Sequence, residues 1–167
     1  KKLSDQNDFS PNVNRLTAVF DLNVAPPTFD VIPFLISAEI HRVQLGCGSM
    51  SFVVVPAKSL QNELGIISSQ NIAWRIRQIL LPAASLMPSC KSLTIFESRE
   101  QAKSELQDLD ANLYPENYTV DDPTAGFSVA EIEAMTYSDI EIPSIQASDQ
   151  AVEYATNWIK EMSGGRR

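Results

Sequence analysis

Short apolar segments alternate with helical patterns along this chain, and this order restricts its fold more than any other feature. Segments 17–22, 51–56 and 93–96 are rich in β-branched and aromatic residues, as buried strands are. Helical spacing of apolar residues separates each segment from the next. Such alternation forms right-handed βαβ units around a parallel sheet. We therefore predict an α/β fold, a three-layer, Rossmann-like parallel sheet of about four or more strands with helices on both faces.

The first two helices have recognisable ends. Asp30 is predicted to cap a helix that begins at residue 31, and Gly46 is predicted to stop it. The expected inward residues of this helix are Ile32, Ile36, Ile40 and Val43. Those of the second helix are Ile72, Ile76, Ile79, Leu80 and Ala83. Pro82 is expected to kink or end the second helix, because proline lacks the amide proton that a helix interior needs.

Patterns are sparser in the second half of the chain. Ser98 and Gln101 form a capping box for a short helix that runs toward Leu106. Residues 107–126 show no period and are predicted to form a long acidic loop. Residues 140–142 are the candidate for a fourth strand.

Two more capping signals follow that loop. Ser128 and Glu131 form a second capping box. A last helix is predicted to start at residue 148 or 149. Its residues that are expected to face the core are Val152, Ala155, Trp158, Ile159 and Met162. Trp74 and Trp158 lie in apolar helix patterns and are both interpreted as core residues.

The length of 167 residues fits one domain. Residues 1–14 are polar and are predicted to be a flexible lead-in, followed by a single Rossmann-like domain over residues 15–167. The sequence starts without methionine and stops after a helical pattern, where an α/β chain would commonly enter its next strand. The alternative that this is a fragment of a longer two-domain protein therefore stays open.

Charge is distributed unevenly, and this limits the classes of partner. The net charge is −8, and residues 104–167 hold 13 Asp and Glu against 3 Lys and Arg. Nucleic acids and anionic membranes bind basic surfaces, so we predict neither as a partner.

Cysteine content and hydropathy indicate a cellular location. Cys47 and Cys90 are too few for a disulfide scaffold and lack the paired spacing of a zinc site. No apolar run reaches the roughly 20 residues that span a bilayer, and the N-terminus shows no apolar signal segment. We predict a cytoplasmic protein.

The candidate ligand site follows from the predicted sheet. Ligands of open parallel sheets bind beyond the carboxyl ends of the strands, beside the point where the strand order reverses. Within the loops that follow the predicted strands, we predict five ligand-binding residues: Asn23, Thr28, Lys58, Ser98 and Arg99. Lys58 and Arg99 can meet a phosphate or a carboxylate, and Ser98 lies at a helix N-terminus that favours an anion. No catalytic residue is assigned.

Other motifs are interpreted as structural. Residues 46–48 (GCG) lie at the amino end of the second strand, away from the crevice, and are predicted to form a turn. Residues 108–110 (DLD) match a metal-binding pattern but end a polar helix, so we interpret them as solvated charge and predict no metal. His41, the only histidine, is expected at the negative end of the first helix dipole. Neither a dinucleotide fingerprint nor a P-loop occurs, so no cofactor is identified.

Three segments carry a family resemblance: 17–34 (TAVFDLNVAPPTFDVIPF), 72–90 (IAWRIRQILLPAASLMPSC) and 114–123 (YPENYTVDDP). Together they resemble the N-terminal Rossmann-like half of a bacterial glycosyltransferase-like protein of the two-domain GT-B type. The resemblance implies an acceptor-side domain that binds a saccharide. It also implies that a second domain beyond Arg167 makes most contacts to a nucleotide sugar, the co-substrate, so that this chain alone is inactive.

A second class of function stays open. The acidic second half is also compatible with a non-catalytic binding or protein-interaction module, whose acidic face docks a basic partner. A cluster of polar side chains around Asn23, Lys58 and Arg99 would favour the enzyme. A flat apolar patch on the last helix would favour the interaction module.

Overall fold

A parallel sheet lies at the centre of the computed structural model, which describes residues 14–58, 69–107, 112–127, 129–136, 145–147 and 149–162. Its strands are β1 (Arg15–Asp21), β2 (Ser49–Val55), β3 (Cys90–Ile95) and β4 (Leu113–Tyr114). They lie in the order β3-β2-β1-β4, and every neighbouring pair is parallel. The predicted Rossmann-like α/β fold is confirmed.

The strand order reverses at β1. Its register with β2 runs from Arg15 opposite Ser49 to Asp21 opposite Val55. The chain adds strands outward from β1 through β2 to β3, and then returns to the other side of β1 to form β4. The space between β1 and β4 is therefore the topological switch point, where ligand crevices of such sheets lie.

Helices cover both faces of the sheet. On one face lie α1 (Val31–Gln44), α2 (Ser69–Arg75), a π-helical segment (Ile76–Leu80) and α3 (Leu81–Ser85). On the other face lies α4 (Arg99–Gln107). The connections from β1 to β2 and from β2 to β3 cross the sheet in one direction, and the connection from β3 to β4 crosses it in the opposite direction. Because each crossover is right-handed, the first two place their helices on one face and the third places α4 on the other.

The two central strands, β1 and β2, are buried almost throughout because both of their faces are covered. Successive side chains alternate between two cores. Phe20 and Phe52 belong to the core shared with α1, whereas Val19 and Val53 belong to the core beneath α4. Phe20 meets Phe34 of α1 edge to face, with ring centroids 5.1 Å apart. Such an aromatic pair contributes about 0.5–1.5 kcal/mol beyond the area it buries.

The ends of α1 follow the sequence prediction in part. Gly46 comes just after the helix with a φ of 68°, which favours glycine, so the predicted stop is confirmed. The turn at residues 46–48 that leads into β2 is confirmed as well. Asp30 occupies the N-cap position, but its side chain caps no amide of the helix.

The predicted stripe of α1 was wrong at its last position. Val43 is 45% exposed, whereas Phe34, Leu35 and Ala38 are fully buried. The helix packs against the sheet on one side and against α3 and α5 (Val129–Thr136) on others, so its burial extends around more than one stripe. A pattern of spacing cannot show how many neighbours a helix will have.

Helical structure continues through Pro82 as far as Ser85. The π-helical segment lies immediately before Pro82, which occupies the first turn of α3. Inside a continuous helix a proline removes one backbone hydrogen bond and crowds the preceding turn. The proline therefore coincides with a change of helical register rather than an end. The predicted inward residues Ile72, Leu80 and Ala83 are buried.

The fourth strand comes from a segment that was predicted to be loop. Leu113 lies opposite Thr17 and Tyr114 lies opposite Ala18, so the prediction of an unbroken loop over 107–126 was wrong at this point. A strand of two residues is too short to show an alternating pattern. The candidate strand at 140–142, the capping residue Ser128 and the lead-in up to residue 13 lie outside the described residues.

Two tryptophans interpreted as core residues are exposed. Trp74 of α2 is 57% exposed and Trp158 is 52% exposed. Trp158 belongs to α6 (Asp149–Met162), every residue of which is exposed. The inward orientation predicted for Val152, Ala155, Trp158, Ile159 and Met162 was therefore wrong. Their periodicity shows that α6 has an apolar face, but periodicity carries no information about what covers it.

Candidate functional site

Asp21, the last residue of β1, lies at the switch point and is 1% exposed. Arg99 Nη1 donates to Asp21 Oδ1 at 2.8 Å, and the Tyr118 hydroxyl donates to Asp21 Oδ2 at 2.6 Å. Both oxygens of this buried carboxylate therefore have strong partners. A buried charge needs such partners to be tolerated.

Arg99 joins four parts of the fold. Besides Asp21, its guanidinium donates to the backbone oxygen of Pro56 at 2.8 Å and to that of Val120. Arg99 is itself buried, and its Nε has no hydrogen-bond partner. The cation that was predicted to meet a ligand is thus engaged by the protein, where it links the ends of β1 and β2 to residues 118–120.

The electrostatics of this cluster follow from burial. Burial and the neighbouring Asp21 carboxylate both raise the pKa of the Tyr118 phenol, so Tyr118 stays a hydrogen-bond donor. Burial alone would lower the pKa of Arg99, but its pairing with Asp21 outweighs this and raises the pKa. We name Asp21, Arg99 and Tyr118 the carboxyl-end cluster.

Asn23 and Lys58 lie next to this cluster. The amide of Asn23 donates to Asp21 Oδ1 at 2.8 Å, and its side-chain oxygen accepts the amide of Lys58 at 2.7 Å. Both residues are exposed. Three predicted site residues, Asn23, Lys58 and Arg99, are therefore connected through hydrogen bonds around Asp21.

The other two predicted residues make local contacts. Ser98 Oγ accepts the amide of Gln101 at 3.1 Å, and Gln101 Oε1 accepts the amide of Glu97 at 3.0 Å. The capping box is thereby confirmed, with its return bond one residue earlier than usual. Thr28 Oγ1 donates to Asp30 Oδ2 at 2.8 Å. The Ser98 bond caps the start of α4, and the Thr28 bond lies within the turn before α1; neither involves a ligand.

A cavity of about 420 Å³ lies elsewhere, on the α1 side of β4. The residues that line it come from α1, the end of β4, residues 124–127 and α5: Ser37, Ile40, His41, Gln44, Tyr114, Pro115, Glu116, Thr124, Gly126, Phe127 and Ile132. Its volume lies within the roughly 300–1,000 Å³ of small-molecule sites. We name it the α1–β4 cavity.

Ser37 is the unusual residue of this cavity. It is 8% exposed, and its Oγ is buried without a hydrogen-bond partner. A helical serine can satisfy its hydroxyl with the carbonyl four residues earlier, but Ser37 does not. A buried hydroxyl left unpaired costs about 1–3 kcal/mol. Ser37 lines the cavity, but its Oγ exposes almost no surface, so the hydroxyl would reach a ligand only after a rotation of the side chain.

Polar and aromatic groups lie beside Ser37. His41 is one helical turn further along α1, and its Nε2 lies 3.6 Å from Glu116 Oε1. The His41 ring also contacts the ring of Tyr114, with centroids 5.4 Å apart. The position of His41 in the last turn of α1 is as predicted, but its place in a cavity wall was not.

Glycine is required at one corner of the cavity. Gly126 has a φ of 72°, and a Cβ at this position would lie 2.2 Å from Cγ of Pro115. Any side chain here would have to displace the proline or the backbone. The close approach of these two residues shapes the wall beneath Tyr114 and Phe127.

Sequence reasoning missed the α1–β4 cavity, although one signal existed. Ser37 and His41 are four residues apart on a predicted helix, so they share a face. The aromatic and acidic residues of the other wall come from residues 114–127, and only the tertiary structure brings them opposite α1.

The part of the chain that the structure describes contains no group of three or more His, Cys, Asp and Glu side chains that could hold a metal ion. Within the same residues, no helix combines the length and the hydropathy that crossing a bilayer requires.

Comparison with known proteins adds no further assignment. No family model matches the sequence, and neither a curated protein nor a solved structure matches it.

Proposed function

We propose that this chain is a small-molecule-binding α/β domain, and that the α1–β4 cavity holds an uncharged, hydroxyl-rich ligand of the saccharide class. The observation that carries the proposal is that Ser37, a residue of the cavity wall, has a buried and unpaired hydroxyl, which a rotation of its side chain would present to the ligand. A sugar hydroxyl can both donate to and accept from a serine. Binding would therefore remove the cost of an unsatisfied polar group.

The lining favours a neutral ligand. Among the described lining residues, Glu116 is the only carboxylate, it lies 3.6 Å from His41 Nε2, and neither lysine nor arginine is present. The lining therefore offers no lysine or arginine to pair with an anionic ligand. Tyr114 and Phe127 add apolar surface for the less polar face of a ring, while Gln44 and Thr124 add amide and hydroxyl groups.

Saccharide binding agrees with the acceptor role that the sequence resemblance implies. In a two-domain transferase the nucleotide sugar would be held mostly by the other domain, so the proposal for this chain is acceptor binding rather than transfer. The predicted cation Arg99 is already engaged by Asp21 and two backbone oxygens. The cavity is therefore a better candidate for the ligand than the carboxyl-end cluster.

The test is isothermal titration of the full chain against a panel of neutral mono- and disaccharides. UDP-, GDP- and ADP-linked sugars with and without Mn²⁺ form a second arm. We expect a neutral saccharide to bind and Ser37→Ala to weaken its binding about 10-fold, the effect of one lost hydrogen bond. Ser104→Ala is the matched control, because Ser104 is an exposed serine on α4, away from the cavity.

Two results would overturn the proposal. One is a wild-type chain that binds none of the saccharides. The other is a saccharide whose affinity is unchanged in Ser37→Ala while the variant keeps the wild-type unfolding midpoint. Binding of the nucleotide-linked sugars but not of the free sugars would move the assignment from acceptor to donor.

A further inference from the structure

We propose that α6 is a docking helix for a basic amphipathic helix of a partner protein. The inference is independent of the α1–β4 cavity, because it rests on a different element. The α6 stripe consists of Val152, Ala155, Ile159 and Met162, all of them exposed. Met162 is 70% exposed, and Trp158 beside the stripe is half exposed.

The spacing of the α6 stripe matches a helical partner. Its residues are separated by three, four and three positions, the a and d spacing of a coiled coil. This spacing keeps an apolar seam on one side of a helix through two heptads. Trp158 and Met162 are residue types enriched at the centres of protein interfaces.

The exposure of α6 also favours a partner. An isolated helix shorter than about 12–15 residues is marginally stable in water, and most helical stability in proteins comes from packing of an apolar face. All 14 residues of α6 are exposed in the described structure. Burial of the α6 stripe by a second helix would supply the missing stabilisation.

Charge selects the kind of partner. α6 carries Asp149, Glu153 and Glu161 against Lys160, so its net charge is negative, and the whole chain has a net charge of −8. A second copy of the chain would bring two acidic helices and two acidic proteins together, which repulsion opposes. By the same spacing Asp149 flanks the α6 stripe, while Glu153 and Glu161 lie on the far side, so the attraction for a partner helix with lysine or arginine comes from Asp149 and the net charge of the chain.

The experiment uses the full chain with Trp74→Phe, so that Trp158 is the one remaining tryptophan. The probe is a synthetic three-heptad peptide with leucine at a and d and lysine at e and g. Its matched control has glutamate in place of lysine. We expect the lysine peptide to shift the fluorescence of Trp158 to the blue and the glutamate peptide to leave it unchanged.

Two substitutions locate the surface. Ile159→Asp places a charge in the α6 stripe and should weaken binding of the lysine peptide at least 10-fold. Asn157→Asp adds the same charge on the opposite side of the helix by the helical repeat and should change it less than 2-fold. Neither variant should alter saccharide binding, which separates this proposal from the cavity.

Four results would overturn the inference. Two concern the peptides: Trp158 fluorescence that does not respond to the lysine peptide, or that responds equally to both peptides. The third is a dimer of the free chain that Ile159→Asp dissociates. The fourth is a blue shift of Trp158 fluorescence on phosphatidylcholine–phosphatidylglycerol vesicles that Ile159→Asp abolishes. The third would assign the α6 stripe to a second copy, and the fourth to a membrane surface.

Discussion

The carboxyl-end cluster and the α1–β4 cavity both place polar side chains in buried positions beside β1 and β4, but they differ in how those groups are satisfied. In the cluster, Asp21, Arg99 and Tyr118 are paired with one another, and both terminal nitrogens of Arg99 also donate to backbone oxygens, which leaves Nε as the one guanidinium nitrogen without a partner. In the cavity, the hydroxyl of Ser37 has no partner. Paired groups are expected to stabilise the fold, and an unpaired one to bind something else.

The largest expected effect comes from breaking the cluster. Asp21→Ala leaves the guanidinium of Arg99 buried without its counter-charge, and we expect it to lower the free energy of unfolding by about 3–5 kcal/mol. Denaturant titration measures this change. Asp122→Ala, which removes an exposed carboxylate, is the control and should change stability by less than about 0.5 kcal/mol. Equal effects of the two substitutions would show that the cluster does not hold the fold together.

Gly126 tests the wall of the cavity. Gly126→Ala combines a left-handed backbone with an approach of 2.2 Å to Pro115, and we expect it to cost about 2–4 kcal/mol and to abolish saccharide binding. Gly46→Ala is the matched control, because Gly46 has a similar φ of 68° with nothing within 4 Å of the added Cβ. It should cost only about 1 kcal/mol and leave binding intact. Equal costs would mean that Pro115 moves aside freely.

Alkaline pH should weaken the fold. Burial raises the pKa of the Cys90 thiol to about 12, and burial with Asp21 raises that of Tyr118. Below the unfolded pKa values, about 9 for cysteine and 10 for tyrosine, both groups are neutral in both states and stability is constant. Above them the unfolded state loses its protons first, so stability falls as pH rises, by roughly 1.4 kcal/mol per pH unit and group.

Tyr118→Phe separates the two contributions to that fall. The variant loses its hydrogen bond to Asp21 and starts from a lower stability, but above pH 10 its stability should fall with about half the wild-type slope. Thermal unfolding measured from pH 7 to pH 11 gives both slopes. An unchanged slope in the variant would show that the phenol of Tyr118 ionises as readily in the folded protein as in the unfolded chain.

The smallest expected effect compares two buried serines. Ser51 Oγ is paired with Ser92 Oγ at 2.6 Å, so Ser51→Ala should cost about 1 kcal/mol. Ser37→Ala removes an unpaired hydroxyl and should leave stability within about 0.5 kcal/mol of the wild type or raise it. Denaturant midpoints of the two variants measure the difference. A cost of Ser37→Ala as large as that of Ser51→Ala would mean that Ser37 has a partner in solution.

Much of the fold could be predicted because strands and helices of ordinary length carry local patterns. β1 and β2 are buried along nearly their whole length and contain apolar runs, β3 contains a shorter one, and Gly46 and Ser98 mark the ends of their helices. β4 could not be predicted, because its two residues pair with β1 across nearly a hundred positions of sequence. The exposure of α6 could not be predicted either, because an apolar stripe looks the same with and without a neighbour.

The sequence indicated where the carboxyl-end cluster lies but not which side chains pair within it, and it did not indicate the α1–β4 cavity. The crevice rule led to Asn23, Lys58 and Arg99, and these do connect around Asp21. Whether a cation meets a ligand or a buried carboxylate depends on residues far away in sequence. Asp21 and Tyr118 are the residues that decide this for Arg99, and neither was assigned to the site.

The sequence by itself determined the class of fold, because hydrophobic period and turn chemistry act over a few neighbouring residues. The tertiary structure alone decided which polar groups are paired. Arg99 pairs with Asp21, which is 78 positions away in sequence. Ser37 lies opposite residues 114–127, but its hydroxyl has no hydrogen-bond partner there. Desolvation and hydrogen bonding depend on distance in space, and that distance exists only once the chain has folded.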